Sequence, residues 1–448
     1  MSGPARRVAL LTVIGVLLLV LVAGGLAFLG WQQIELASDV RRIAFIASLC
    51  LSGALWLLAV AIVQRHRLPP RTVWLVIGVA VAMRLLTLFA PPMLSSDMYR
   101  YVWDGRVQLA GINPYRYLPA ADELALLRDD AVYSHINRGN YAHTVYPPVA
   151  QAIFALAAVV TPGVFGMKLM IALFDALAMI ALALLLRLIG RDPAQLLIYA
   201  WLPLAVWEFA GNAHIDGAAA GLLALALLVA ARGKSVWTGV VLAAATLTKF
   251  LPAVVLPAFW RPREGRLLLS FVVTLIVCYL PYVSVGWRVL GFVPGYLAEE
   301  HIEGGQGIFL LQVLGRFMPL PGWAAAVYLA MVLCLLAVLA ARFVFAASPP
   351  ASIDARVTLQ AHQAVVLGAI LLAALSPHYP WYFGWLAPLA CLAPIPAVLW
   401  MLAAAPLLAH GAVEYLAIPM AVYVPAAVLA AIDLGRRLPA PPQALRSA

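Results

Sequence analysis

Charged residues are scarce in this chain. Of its 448 residues, 11% are charged and 65% are hydrophobic. Soluble domains carry about a quarter charged residues, so this shortage excludes an ordinary soluble protein. A helix needs roughly 20 apolar residues to cross a bilayer, and the chain has room for about a dozen such helices. The sequence therefore predicts an all-α polytopic membrane protein.

Motifs for soluble cofactors are missing as well. The chain has neither a GxxxxGK[ST] loop nor a Gly-rich dinucleotide motif, which are the usual sequence signs of nucleotide binding. Its four cysteines lie within apolar runs and lack the spacing of a disulfide framework or a metal cluster. We expect free, buried thiols at Cys50, Cys278, Cys334 and Cys391.

The excess of basic residues sorts by membrane side. The formal net charge is +10. If the N-terminus is cytoplasmic, most of this excess, from Arg6 and Arg7 to Arg436 and Arg437, falls in inner loops, whereas the outer loops are nearly balanced. Cytoplasmic loops are enriched in Lys and Arg, so we expect both termini in the cytoplasm. The charge is then a sign of topology, and we expect no nucleic-acid partner.

The apolar runs predict about 12 to 14 transmembrane helices. They lie near 8–30, 43–63, 73–94, 167–189, 194–210, 213–231, 235–260, 267–285, 323–346, 357–375, 381–393, 396–411 and 418–434. The segment 146–160 begins with a Pro pair and is predicted to be an interfacial or re-entrant helix. The segment 238–260 has basic residues at both ends, which predicts a hairpin with Lys249 and Pro252 near its apex. We expect the Pro-rich tail, 438–448, to be disordered.

The longest outer segment, 95–147, contains no predicted span. Loops of this length are usually functional. Ser96 is placed to cap a helix from about Asp97 to Leu109, with Gly111 ending it and a turn following at Asn113.

This helix carries polar residues at helical spacing. Asp97 and Asp104 are predicted to share a face with Tyr101, and Arg100 lies one turn from both carboxylates. An interfacial amphipathic helix with solvated charges would show the same pattern. Asp97 differs because it lies where a span meets the loop, where partial desolvation makes a carboxylate more basic. It is a candidate general base.

Ionisable residues at membrane depth are candidate functional groups. Lys249 would project into a cavity under the outer face, where its charge suits a lipid phosphate. The alternative is an ion pair with Asp175 or Glu208. Arg84 and Asp175 both lie within predicted spans, and we expect them to form a structural ion pair.

Two outer junctions carry polar and aromatic residues. In GNAHIDG (211–217), His214 and Asp216 suit sugar hydroxyls; a zinc site is not expected because no further His or Cys cluster lies nearby. In SPHYPWYFGW (376–385), the aromatics form either an interfacial belt or a surface for a sugar or an isoprenoid chain. His378 between two prolines favours the second interpretation.

The last outer loop is EEHIEGGQG (299–307), which is acidic and Gly-rich. Its His301 either reaches a substrate or is a solvated loop residue, and the second interpretation is favoured. No soluble catalytic domain of any size is present, so any enzyme here must work in the membrane from the outer side. An activated substrate would then have to be carried on a lipid.

An ordered series of segments resembles a known superfamily. SSDMYRYVWDGRVQLAGINPY, TVYPPVAQ, GNAHIDG, LTKFLPAVVLP and SPHYPWYFGW together resemble GT-C polyprenyl-phosphate-sugar-dependent glycosyltransferases, most closely the bacterial family 87 type of mannosyltransferase. The resemblance covers roughly residues 73–390. It implies a GT-C fold with an extra N-terminal pair of helices in 1–72, a catalytic module in 73–393 including the outer loop 95–147, and C-terminal helices with a cytoplasmic tail in 394–448.

The resemblance also implies an activity. A sugar, most simply mannose, would pass with inversion from a polyprenyl-phosphate donor to a lipid-linked or glycolipid acceptor, at the periplasmic face of the bacterial inner membrane. Asp97 matches the catalytic base of the superfamily, and Lys249 matches its donor-phosphate residue. The DxD form seen in some members is missing, because Asp97 is followed by Met-Tyr. We therefore expect no metal and no other cofactor.

The complete predicted site has three parts. The base is Asp97. The donor phosphate would contact Lys249, His378 and Arg100. Substrate contacts are predicted for Tyr101, Asp104, Asn113, Tyr146, Asn212, His214, Asp216, His301, Tyr379, Trp381 and Tyr382.

Two other functions fit a protein with charges at mid-depth. A transporter or flippase of a lipid-linked or small polar substrate would also hold such charges, and it predicts inverted repeats with discontinuous helices in both halves. A non-catalytic membrane subunit gives no reason for an acid, a lysine and two His-containing junctions to fall toward the same face.

Overall fold

A computed structural model describes residues 3–30, 38–346, 350–410 and 416–437. Within these ranges the chain forms α-helices with short 3-10 and π segments, and no β-strand. The tail predicted to be disordered, 438–448, lies outside the described residues. The predicted all-α class is confirmed.

The α-helices are numbered in chain order. They are α1 (Gly3–Gly30), α2 (Ser38–Arg65), α3 (Thr72–Leu88), α4 (Asp97–Leu109), α5 (Pro148–Val160), α6 (Val164–Leu188), α7 (Leu197–Ala200), α8 (Pro203–Ala205), α9 (Asp216–Ala231), α10 (Ser235–Thr246), α11 (Leu256–Phe259), α12 (Gly265–Tyr279), α13 (Val293–Glu299), α14 (Phe309–Gly315), α15 (Ala324–Val344), α16 (Ile353–Leu375), α17 (Ala387–Leu392), α18 (Pro396–Ala404) and α19 (Ala417–Arg437). The 3-10 segments are Asp122–Leu127, Tyr133–His135, Pro193–Leu196, Leu251–Val255, Leu280–Leu290, Pro380–Leu386 and Ala405–His410, and Val206–Gly211 is a π-helix.

Long apolar helices make this a polytopic membrane protein. In the described ranges, 7 helices are long and apolar enough to cross a bilayer, or 8 if the pair Pro193–Ala200 and Pro203–Gly211, bent by 57°, is one span. Shorter apolar helices, among them α3, α5, α9 and α10, add to these. The predicted total of about 12 to 14 crossings stays a prediction, because it depends on how the shorter helices are counted.

Two predicted spans lose α-helical geometry before their apolar runs end. The run 73–94 forms a helix only as far as Leu88, because Pro91 and Pro92 follow and the residue before a proline disfavours helical backbone. The run 267–285 leaves α-helical geometry after Tyr279, one residue before the Leu280-Pro281 pair, and continues as a 3-10 segment. Hydropathy alone does not register either break.

The interior of the bundle is built around α6, α9 and α10. α6 packs on α9, and α10 lies against both α9 and α12. The predicted Arg84–Asp175 pair is confirmed: Arg84 Nε lies 2.5 Å from Asp175 Oδ2, and both side chains are buried. Tyr199 donates its hydroxyl proton to the same carboxylate over 2.6 Å. Complete pairing of this kind is what makes buried charges tolerable.

The outer segment folds as predicted except at its cap. α4 begins at Asp97 and ends at Leu109, and Gly111 follows with a φ of +74°. The Ser96 hydroxyl does not cap the helix, which corrects the prediction; Ser95 Oγ accepts the Asp97 N–H instead, and Ser96 Oγ accepts a bond from Asn137.

A turn follows α4, and the helix packs against α5. The backbone N–H of Tyr115 donates to Asn113 Oδ1 over 3.0 Å, which confirms the predicted turn. Gly105 permits the close approach to α5, since a Cβ there would lie 2.5 Å from the carbonyl oxygen of Phe154.

The segment predicted as a hairpin is broken at Lys249. α10 ends at Thr246, and the chain resumes as a 3-10 turn beginning at Leu251, with Pro252 inside it. The N-terminus of α5 is tied to this break, because the N–H groups of Val149 and Ala150 both donate to the carbonyl of Leu247. Lys249 thus lies beside the outer segment.

The cysteines are free, as expected, but most are not buried. Cys391 is buried, Cys278 is intermediate, and Cys50 and Cys334 are exposed on the apolar surface. The expectation of burial was wrong for these three because lipid and protein interior are about equally apolar, so an apolar run does not reveal which of them a residue faces.

Candidate active site

A cavity of about 650 Å³ lies where four parts of the chain meet. Its wall is formed by the start of α4 with the 137–147 stretch, the break after α10, the 292–307 region and the 376–385 junction. Apolar side chains such as Leu94, Phe292 and Leu375 supply much of this wall. A cavity of this size, mostly apolar with a few convergent polar groups, is typical of a ligand site.

Asp97 is one of two carboxylates that line this cavity, the other being Glu300. Its side chain is 20% exposed, and its Oδ1 accepts a 2.9 Å hydrogen bond from the amide of Asn137. Burial raises the pKa of the Asp97 carboxyl above its ordinary value, although the Asn137 bond and the charges of Arg138 and Lys249 act in the opposite direction. A carboxylate of raised pKa is a stronger base than one in water.

Lys249 lines the same cavity and has a buried partner. Its Nζ lies 2.8 Å from Oδ1 and 2.9 Å from Oδ2 of Asp216, and 3.5 Å from the centroid of the Tyr382 ring. The expected alternatives, Asp175 and Glu208, are not its partners. α9 begins at Asp216, so one carboxylate both starts this helix and orients the ammonium group toward the cavity edge.

An aromatic stack forms another part of the site. The rings of Trp381 and Tyr379 are stacked at 4.7 Å, and the imidazole of His214 lies 3.8 Å from the Trp381 ring at an interplanar angle of 13°. The hydroxyls of Tyr382 and Tyr296 are 2.5 Å apart, which joins the stack to α13. These contacts hold the junction rigidly against the cavity.

Two other basic residues at the cavity, Arg138 and His378, are also paired. Arg138 Nε lies 2.6 Å from Glu299 Oε2, and His378 Nδ1 lies 3.4 Å from Glu300 Oε2. Neighbouring carboxylates at the end of α13 therefore hold two basic groups that an anionic ligand would contact. An incoming phosphate would have to compete with them.

The structure brings most of the predicted site residues to one cavity. Those that line it are Asp97, Arg100, Tyr101, Tyr146, Lys249, His378, Tyr379, Trp381 and Tyr382. His214 and Asp216 lie directly behind the wall, in contact with Trp381 and Lys249 respectively. Residues that are far apart in the sequence thus converge on one site.

Arg100 and Asp104 form an ion pair inside the protein. Arg100 Nε lies 2.9 Å from Asp104 Oδ1, both side chains are buried, and Arg100 also donates to the carbonyl of Ala142. The other Asp104 oxygen accepts from Gln151. Arg100 is therefore paired within the protein while it lines the cavity, and its contact with a phosphate stays a prediction; Asp104 is not among the lining residues.

Three further predicted substrate contacts are placed elsewhere. Asn113 donates to the carbonyl of Tyr282, and Asn212 donates to that of Trp207. His301 lies in the loop after α13 with a φ of +51° and is not part of the cavity wall. The amide groups of the two asparagines donate to backbone carbonyls, and their assignment to a substrate stays a prediction.

Several residues at the site were missed by sequence reasoning. They are Asn137, Arg138, Glu208, Tyr296 and Glu300. Asn137 and Arg138 lie in irregular loop, where no periodicity marks them. Glu208 stands within an apolar run, and its charge at that depth was the available signal.

No metal site is evident in the described part of the chain. Among these residues, no group of three or more His, Cys, Asp or Glu is arranged to hold an ion. The expectation that the reaction requires no metal stays a prediction.

Comparison with known proteins identifies a family. No curated protein and no solved structure matches the chain. A family described as alpha-(1->6)-mannopyranosyltransferase, N-terminal domain, matches residues 8–261, which is more than half of the chain and includes both N-terminal helices, α1 and α2. The resemblance to family 87 mannosyltransferases is thereby confirmed. The chain belongs to the alpha-(1->6)-mannopyranosyltransferase family of GT-C membrane glycosyltransferases.

Proposed function

We propose that this membrane mannosyltransferase transfers mannose from a polyprenyl-phosphate donor to a lipid-linked or glycan acceptor, by a single displacement with inversion. The observation that carries the proposal is one cavity lined by both Asp97 and Lys249, with an extensive apolar wall. A base and a cation at one cavity fit an acceptor hydroxyl and a donor phosphate. The apolar wall fits the isoprenoid chain of the donor.

Asp97 acts as the general base in this proposal. It removes the proton of the acceptor hydroxyl while that oxygen forms a bond to the anomeric carbon. The bond from the anomeric carbon to the phosphate oxygen breaks, and its electron pair leaves with the polyprenyl phosphate. General-base help of this kind contributes about 10² to 10⁴ in rate. The raised pKa of Asp97 supports the assignment, because a stronger base accepts the proton more readily.

Lys249 and His378 receive the donor phosphate. Lys249 lies at the cavity with its ammonium already oriented by Asp216, and His378 lines the same cavity from the 376–385 junction. We add Arg138, which also lines the cavity, in place of Arg100. Charge-assisted hydrogen bonds to the phosphate stabilise the negative charge that develops as it leaves.

The sugar lies against the aromatic residues of the cavity. Tyr101 and Tyr146 line it from the outer segment, and Tyr379, Trp381 and Tyr382 line it from the junction. Apolar faces of a hexose pack well on such rings. The reaction as written has no metal-dependent step, and we expect activity to survive chelation of divalent cations.

The distribution of charge supports a location for this reaction. With most of the excess positive charge in cytoplasmic loops, the outer segment 95–147 and the cavity face the periplasm of a bacterial inner membrane. Both termini are then cytoplasmic. Nucleotide sugars do not reach that side, which favours a lipid-linked donor.

One experiment separates this function from transport. Purified protein in liposomes is given polyprenyl-phosphate mannose with labelled mannose, together with an extract of membrane lipids. We expect a new labelled glycolipid and release of polyprenyl phosphate. Movement of the unchanged donor across the bilayer would favour the transporter, and neither product nor movement would refute both.

A further inference from the structure

A row of three polar side chains leads from the cavity into the protein interior. His214 Nδ1 lies 4.0 Å from Asp97 Oδ2, and His214 Nε2 lies 3.4 Å from Glu208 Oε2. The imidazole and Glu208 are both buried, and neither ring nitrogen has a hydrogen-bond partner at closer range. Buried polar atoms are almost always paired, so this row requires an explanation.

The imidazole is held in place by its surroundings. Its ring stacks on Trp381, and its backbone N–H donates to the carbonyl of Glu208 over 2.9 Å. Glu208 itself lies in the π-helix Val206–Gly211. Such π segments are frequent at functional sites because they shift a side chain out of ordinary helical register.

The count of charges near this row decides the protonation state of Glu208. Glu208 lies near two other carboxylates, Asp97 and Asp216, and Lys249 bonds both oxygens of Asp216. Within the described residues, the ion-pair partner of Glu208 is His214 alone. A buried carboxylate without a cation is very costly, so Glu208 is stable there as the neutral acid.

We propose that neutral Glu208 donates its O–H to Nε2 of His214, and that Nδ1–H of His214 then donates to Asp97 and holds it as the carboxylate. This inference rests on the proposed function, from which the role of Asp97 as base is taken. His214 and Glu208 act through Asp97 and are positioning residues. Together with Asn137, they supply hydrogen bonds that keep a partly buried carboxylate ionised before the acceptor binds.

Both contacts are slightly longer than hydrogen bonds. Hydrogen bonds of catalytic groups often tighten when the substrate binds. A neutral Glu208 has a further advantage, because it places no additional negative charge near the donor phosphate.

Other ionisable groups also face Asp97 and His214. They are Tyr101, Arg138, Tyr146, Asp216, Lys249, Glu300, Tyr379 and Tyr382. Lys249 and Arg138 carry the positive charges, and they are bonded to Asp216 and Glu299 respectively. They therefore act on Asp97 through space, whereas the imidazole is placed to donate a hydrogen bond.

The pH dependence of kcat/KM tests this arrangement. His214→Phe keeps a ring against Trp381 but removes the donor, so we expect the acid limb of the profile to move upward by about one pH unit. Activity on that limb falls about tenfold and is regained at higher pH. A lower rate with an unmoved limb, or a limb at lower pH, would overturn the proposal.

Two substitutions of Glu208 form a matched pair. Glu208→Gln retains a neutral donor to Nε2, so the acid limb should stay at the wild-type pH. Glu208→Leu removes the donor and should move the limb as His214→Phe does, with no further movement in the double variant. If Glu208→Gln also moves the limb, Glu208 is ionised in the native protein and the proposal is wrong.

The tautomer of His214 can be measured without an activity assay. Protein with ¹⁵N-labelled histidine is studied by NMR, and the His214 signals are assigned from whichever of the variants folds. We expect the proton on Nδ1 in the wild type. A proton on Nε2 alone would refute the proposed hydrogen bonds from Glu208 to His214 and from His214 to Asp97. If wild-type protein has this tautomer but transfers no mannose from the lipid donor, the proposed function is wrong, whereas the proposed hydrogen bonds of His214 are supported.

Discussion

Replacing Asp97 with asparagine removes the proposed base with little change in shape. The side chains are isosteric, and the Oδ1 atom of asparagine can still accept the 2.9 Å hydrogen bond from Asn137. The amide cannot take a proton from the acceptor hydroxyl. We therefore expect Asp97→Asn to fold normally and to lose catalysis.

The size of the loss follows from the role. General-base catalysis contributes about 10² to 10⁴ in rate, which corresponds to about 2.7–5.5 kcal/mol of transition-state stabilisation. Donor binding should be retained or tightened, because a negative charge at the phosphate-binding cavity disappears. The substitution should therefore lower kcat by at least about a hundredfold without raising KM for the donor.

The assay is transfer of labelled mannose from polyprenyl-phosphate mannose to membrane lipids by purified variants. Asp129→Asn is a matched control, since it also neutralises an aspartate of the outer segment, one that pairs with Arg106 at the surface. This control should keep wild-type turnover, because surface pairs contribute little. Turnover of Asp97→Asn within about tenfold of wild type, with equal thermal stability, would refute the assignment of Asp97.

Three further outcomes are expected. Lys249→Met should raise KM for the donor by about 10- to 100-fold, and it should also lower thermal stability because the buried carboxylate of Asp216 loses its partner. Adding Asp216→Asn should restore the melting temperature but not donor binding. Recovery of both would show that the lysine does not bind the phosphate. Arg84→Met should lower the free energy of unfolding by about 3–5 kcal/mol, because it leaves Asp175 without its ion-pair partner. Thermal unfolding measures this loss, and KM of the folded protein should stay unchanged. A change in KM at normal stability would contradict a structural role for Arg84. Glu300→Gln should lower donor KM about fivefold, because a carboxylate that competes with the phosphate is neutralised; an increase in KM would show that this carboxylate assists binding.

Much of the fold could be predicted because local signals are strong. Apolar runs mark the helices, and the residues flanking α4 define both of its ends. The Arg84–Asp175 pair was predictable because two charges of opposite sign within spans have few other ways to be satisfied. By contrast, the exposure of Cys50 and Cys334 was not, since lipid and protein interior select the same residue types.

The sequence predicted that Asp97 and Lys249 belong to one site, and they line one cavity, but it did not predict the ion-pair partner of the lysine. Asp97 and Lys249 stand out by depth and by their match to the superfamily. The alternative to phosphate binding paired Lys249 with Asp175 or Glu208, whereas it bonds Asp216, because α9 begins beside the break after α10. Which carboxylate meets which cation depends on helix packing, and that information is not local in the sequence.

Irregular backbone explains the other omissions. Arg138 has a φ of +57° in the outer loop, a conformation that no residue pattern around it marks. Its contact with Glu299 joins residues more than 150 positions apart. Side chains placed by such loops become evident only in three dimensions.

The central claim is that a lipid-linked sugar is the donor for the cavity that holds Asp97 and Lys249. The most direct test gives purified wild-type protein equal concentrations of polyprenyl-phosphate mannose and a nucleotide-linked mannose, each labelled in the sugar, with the same lipid acceptor extract. We predict labelled product from the polyprenyl-phosphate donor alone, and none from that donor with Asp97→Asn. Labelled product from the nucleotide-linked donor alone would contradict the account.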